Sequence, residues 1–245
     1  MPLRNLKLTI EYDGTNYHGW QIQTKNLKTI QETIEKVLEK ILQQKVRLIA
    51  SGRTDKGVHA LNQIANFKTS SPIACDKLRK ALNSLLPSDI VVKKIEEVDL
   101  SFHSRFCTKS KVYRYLILNR KYPSAFLKDR AYFYPFPLNL NLMRKQAKFL
   151  KGRHNFKSFQ LKDKIERNPI RNIKKINISK RNNLIKIEIE ADGFLQGMVR
   201  SIVGTLLEIG RGKPLDIKKI LKTKDRKFCG PTAPACGLYL VKVKY

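Results

Sequence analysis

Acidic residues are scarce in this chain. Asp and Glu number 20 against 50 Lys and Arg, a formal net charge of +30 over 245 residues. Such an excess repels itself unless it meets a polyanion, which points to nucleic acid or an anionic membrane surface. Long apolar runs are missing too. No stretch approaches the roughly 20 residues a spanning helix needs, and "MPLRNLKLTIEYDG" turns into an acidic strand and turn before any signal-peptide core develops. A cytoplasmic protein that leaves membranes alone is expected. Cysteine is sparse: Cys75, Cys107, Cys229 and Cys236 form no CxxC pair, so buried free thiols are expected instead of disulfides or a zinc site. His18, His59, His103 and His154 are equally scattered, and no metal centre is expected. No Walker A loop or dinucleotide fingerprint is present.

What is present is a pattern that occurs twice. "LKLTIEY" alternates as a strand, and "TIQETIEKVLEKILQQ" carries Ile30, Ile34, Val37, Leu38, Ile41 and Leu42 at helical spacing. Thr29 with Glu32 spells a capping box. "VRLIAS" and "NQIANFKT" read as strands, Asp76 as the cap of a helix through "KLRKALNSLL" that Pro87 stops, and "DIVVKKIEEV" as a closing strand. The order is β-α-β-β-α-β, the ferredoxin-like unit. After "FHSRFCTKS" it begins again: strand "KVYRYLILN", helix "LNLMRKQAKFLKG", hairpin "IKKINISK" and "LIKIEIEADG" across a tip at Arg181–Asn183, helix "LQGMVRSIVGTLLEIG", strand "GLYLVKVKY". An insertion over 152–169 and a short helix near "LDIKKILK" decorate the second copy. The expected fold is α+β: two ferredoxin-like (βαββαβ) halves, 1–105 and 106–245, packed around a central RNA-binding cleft.

Within the first half, "ASGRTDKGVHALNQ" sets Asp55 in a polar turn between Arg53 and Lys56, bracketed by Gly52 and Gly57. A surface hairpin with a local ion pair would account for the turn by itself. On an RNA-binding protein the carboxylate is out of place, because it repels phosphates, and catalysis is the usual reason to keep one. Beside Arg53 it stays ionised and is able to act as nucleophile or base toward an electrophilic carbon. With no second carboxylate nearby, a two-carboxylate glycosidase is disfavoured. Arg200 stands in an apolar helix, where a buried charge needs a counter-ion; Asp55 is the candidate. Tyr113 sits on an alternating strand, the ordinary place for a half-buried packing tyrosine. His59 and His103 read as structural. Trp20 and Tyr17 are divided between the core and base stacking.

Taken together, "YDGTNYHGWQIQ", "GRTDKGVHA", "KVYRY", "GFLQGMVRSIVG" and "GPTAPACGLYLVKVKY" resemble the tRNA pseudouridine synthase A family over essentially the whole chain. The resemblance implies that Asp55 is the catalytic aspartate and that Arg53 helps displace the target base. It makes Tyr113 the ring that packs on that base, and Arg200 the cation that pairs with the aspartate. It also implies a homodimer that isomerises uridine at positions 38, 39 and 40 of the tRNA anticodon stem-loop. No cofactor is required, since nothing enters or leaves overall. Asn155 departs from the family, whose members often have Asp there. Two rival readings are a non-catalytic RNA-binding or ribosome-associated protein and a pseudouridine synthase with another RNA target.

Overall fold

In the computed structural model, which describes residues 2–23, 27–161 and 168–245, the first strand shows how the core is chosen. Along β1 (Arg4–Tyr12) Leu6, Leu8, Ile10 and Tyr12 are all buried, because alternate side chains of a strand share one face. Helix α1 (Ile30–Leu42) contributes Ile30, Ile34 and Leu38 to the core, whereas Val37, Ile41 and Leu42 are only half-buried. Thr29 caps α1 by accepting from Glu32 N at 3.4 Å, and the Glu32 carboxylate goes to Lys36 at 2.7 Å. Two polar side chains on α1 are unexpectedly inside. Gln31 donates to Glu35, and Glu35 accepts from Leu48 N–H at 2.7 Å. The buried carboxylate thus ties the chain leaving the helix back to it.

The expected strand "VRLIAS" is reduced to β2 (Ile49–Ala50), paired with β3 (His59–Thr69) only at Asn66 and Ala65. Further along the same edge β3 meets β10 (Leu238–Lys244), where Asn62 Nδ2 donates to Val241 O at 2.7 Å. Helix α2 (Cys75–Leu85) starts one residue before Asp76. Its N-cap is Ala74 with no side-chain bond, and Asp76 in the first turn instead pairs with Arg79 and Lys80. β4 (Ile90–Val98) completes the unit on the far side of β1. Chain order and sheet order β4-β1-β3, with β2 outside β3, are those of a βαββαβ unit. A buried Asn5–Asn66–Ser104 network, with bonds of 2.8–2.9 Å, fastens the segment after β4 to the sheet.

The second unit repeats the order as far as its second long helix. β5 (Ser110–Leu118) pairs antiparallel with β9 (Leu184–Ala191), which pairs with β8 (Ile170–Arg181). Its helices are α3 (Leu140–Ala147), continued by one 3-10 turn, and α4 (Met198–Gly210). β6 (Tyr132–Phe133), β7 (Gly152–Asn155) and α5 (Ile217–Thr223) are additions. Part of the expected insertion, residues 162–167, lies outside the described residues. The fold is α+β, and contacts divide it into Met1–Lys109 with Leu240–Tyr245, and Ser110–Tyr239. No helix among the described residues is long and apolar enough to cross a membrane. The four cysteines form no disulfide, but none is buried: Cys107 is exposed and the other three are half-buried. Cys75 opens α2, and Cys236 lies in a 3-10 turn.

Candidate active site

The Asp55 turn is built by its neighbours more than by its own sequence. Val58 N–H donates to Asp55 O at 3.2 Å, closing a four-residue turn whose third position is Gly57 at φ +75°. Glycine takes that conformation without steric cost. Asp55 is half-buried, whereas Arg53 and Lys56 are exposed. Both cations therefore face solvent beside a carboxylate that is partly sheltered.

Residues between β1 and α1 lace onto this turn. Trp20 N–H donates to Thr54 O at 3.1 Å and Gly57 N–H to Tyr17 O at 3.3 Å. A β-carbon on Gly19 would stand 2.5 Å from Thr54 O, and one on Gly14 would stand 2.0 Å from Val58 O. Only a backbone without side chains fits this close. His59 is 2% exposed, and its Nδ1 lies 3.1 Å from both the Gly14 amide and Asp13 Oδ1. That is a structural position. Trp20 and Tyr17 are each 1% exposed, Tyr17 donating to Asp89 Oδ1 at 2.6 Å. Of the two roles open to them in the sequence, they take the core. His103 accepts from the amides of Arg105 and Phe106 and stacks on the Phe106 ring at 4.2 Å, again within a turn.

Tyr113 and Arg200 belong to the second unit. Tyr113 lies on β5 opposite Ile189, 8% exposed, with the Phe194 ring edge-on at 5.1 Å. Phe194 escaped the sequence reading because a single aromatic in a turn has no periodicity. Arg200 is the third residue of α4 and the one member of that helix that is not buried. The expectation of a buried charge is corrected to a half-buried one, held at the helix's first turn. A cation is unfavourable at the positive end of a helix. Arg200 Nε donates to Ala233 O at 2.7 Å, and Ala233 N–H to Arg200 O at 3.1 Å.

The segment that receives Arg200 is itself fixed. Gly230 N–H donates to Thr205 on α4, Arg226 donates to Gly230 O and Thr232, and Tyr115 OH donates to Pro234 O. A β-carbon on Gly204 would be 1.7 Å from Pro231 O, so α4 and this segment touch backbone to backbone. Asn155, the one departure from the family pattern, accepts from Lys157 N–H at 2.9 Å. An aspartate would accept that bond equally well.

A carboxylate fixed in a cation-flanked turn and an arginine fixed on a helix are what the two units present: an α+β protein of ferredoxin-like order carrying a candidate catalytic acid. The family model described as tRNA pseudouridine synthase matches residues 8–107 and 147–245. The chain belongs to that family. It is 48% identical to the tRNA pseudouridine synthase A of Acetivibrio thermocellus, over 99% of this chain and all of the relative. It is 49% identical to the protein of that name from Caldicellulosiruptor bescii, with the same coverage. It is also 49% identical to tRNA pseudouridine synthase A 2 of Clostridium tetani, over 99% of each chain.

Proposed function

We propose that this protein isomerises uridine to pseudouridine at positions 38, 39 and 40 in the anticodon stem-loop of tRNA, as a cytoplasmic homodimer. The full-length family membership, with Asp55 in a turn built around it, is the observation that carries this reading. A base in a stem must first leave its stack, which costs a few kcal/mol. Phosphate contacts from a +30 protein offset that cost, and the exposed Arg53 is suited to the space the base vacates. Asp55 then initiates cleavage of the bond from N1 of the base to C1′ of ribose. The base turns, C5 bonds to C1′, and the C5 proton is lost while N1 gains one, so the sum is an isomerisation. Tyr113 is assigned to pack on the base, and Arg200 to support the catalytic acid. The anchored guanidinium of Arg200 and the ring contact of Tyr113 support these assignments by limiting the motion of both groups.

Asp55→Asn tests the reading. The change is nearly isosteric and removes one negative charge, so tRNA binding should stay within a few-fold of wild type and fall steeply with salt. Carbodiimide mapping should find no pseudouridine in the anticodon stem. Undiminished product would remove the carboxylate from the mechanism. Lost binding by a well-folded variant would favour a plain RNA-binding module.

A further inference from the structure

Beneath the Asp55 turn lies a set of buried polar side chains that no step of the reaction uses. Tyr12 and Thr54, 3% and 6% exposed, share a hydrogen bond of 2.8 Å between their hydroxyls. Gln63, fully buried, donates to Gly52 O and accepts from Ser51 Oγ, each at 2.8 Å. These bonds grip the turn at residues 51, 52 and 54, immediately before the carboxylate. The register is arranged for this. β1 and β3 slip between Ile10 and Tyr12, so Tyr12 lies opposite Ala60. A bulge is a means of re-aiming a strand's side chain, and here it sets Tyr12 under the turn.

A tyrosine buried to pack would be served as well by phenylalanine. A buried hydroxyl is costly unless it is bonded, and this one is bonded to the residue next to Asp55. We infer that Tyr12 and Thr54 are positioning residues for the proposed reaction, their hydroxyl pair setting where the Asp55 carboxylate stands. The inference rests on the pseudouridine synthase reading. It adds that chemistry depends on a hydroxyl at position 54 more than on the shape of that side chain.

The test compares Thr54→Val, of the same shape without the hydroxyl, with Thr54→Ser, which keeps the hydroxyl. Pseudouridine formation on an unmodified tRNA transcript is followed as kcat and KM, and amide hydrogen exchange is followed over residues 53–57. Thr54→Val should lower kcat about 10- to 100-fold with KM changed less than about threefold, the scale expected for a misplaced reacting group. Its loop amides should exchange faster. Thr54→Ser should restore most of kcat. Tyr12→Phe should lower kcat, and the double variant should lose less than the two single losses combined, because both changes remove the bond they share. Equal activity of the Val and Ser variants, or a Val variant whose loss is all in KM, would overturn the inference. A wild-type protein that forms no pseudouridine would sink the reading beneath it. Loop exchange would still decide whether the hydroxyl pair holds the turn, being unchanged in Thr54→Val if it does not.

Discussion

Asp55 and Arg200 are held by opposite means. Asp55 stands on an irregular turn whose backbone groups have no ladder of their own, so Thr54 O, Gly52 O and Gly57 N–H are each claimed by a neighbour. Arg200 stands on a regular helix, and its guanidinium donates to Ala233 O in the segment packed against that helix. The difference teaches that position on a loop is maintained by buried hydrogen-bonding groups elsewhere, and position on a helix by packing. Loss of a polar neighbour should therefore loosen the first, and loss of a close contact the second.

The strongest way to break the comparison is to add one methyl group on each side. Gly14→Ala would press on Val58 O and Gly204→Ala on Pro231 O. Each should cost about 3 kcal/mol or more, as backbone must move to admit the new atom. Thermal melting measures the loss. Hydrogen exchange should place the opening at 53–58 for the first variant and at 230–234 for the second. Opening in the same segment for both would show that the two sites are not held separately.

Alkali gives a smaller effect on the loop side. Burial pushes the Tyr12 phenol up to about 12, against the help it receives from Thr54 and Gln63. The unfolded chain releases this proton near 10, so between about pH 10 and 12 the folded state binds more protons and stability falls as pH rises. The decline has a ceiling of about 1.4 kcal/mol per pH unit for one group. Chemical denaturation of Tyr12→Phe across that window should show a shallower decline than wild type. An identical slope would mean that Tyr12 gains access to water before the protein unfolds.

The smallest expected effect lies on the packing side. Phe194→Leu removes the ring edge facing Tyr113, worth about 0.5–1.5 kcal/mol beyond area burial. A melting curve should register that loss and leave exchange at 53–57 unchanged.

These contrasts explain what could be read from residues alone. The strands and helices were legible, because Leu6, Leu8 and Ile10, or Ile30, Ile34 and Leu38, announce their faces by period. The Asp55 turn was legible as a motif, since two glycines and two cations around one acid are local. Its supports were not. Nothing in "IEYDG" says that Tyr12 meets Thr54, because a slip in register decides it. Asp76 looked like a cap, but α2 starts one residue earlier. Arg200 looked buried among apolar neighbours, yet the first turn of α4 leaves it half-open. The length of β2 depended on which other strand takes the same edge, a question of topology with no local signal.

The last six residues, Leu240–Tyr245, belong to the first unit. Lys109 N–H donates to Lys244 O, Asn62 donates to Val241 O, and Tyr245 reaches Ser104 O with its ring 5.0 Å from Phe102. On a ribosome the first unit therefore emerges early, its βαββαβ order complete but without the strand that covers β3. At about 5–20 residues per second, its missing strand arrives on the order of ten seconds after Lys109. Until then the outer edge of β3 is open, and the nascent chain is exposed to wrong pairing along that edge. The outer edge of β3 is thus covered only after the second unit has been made.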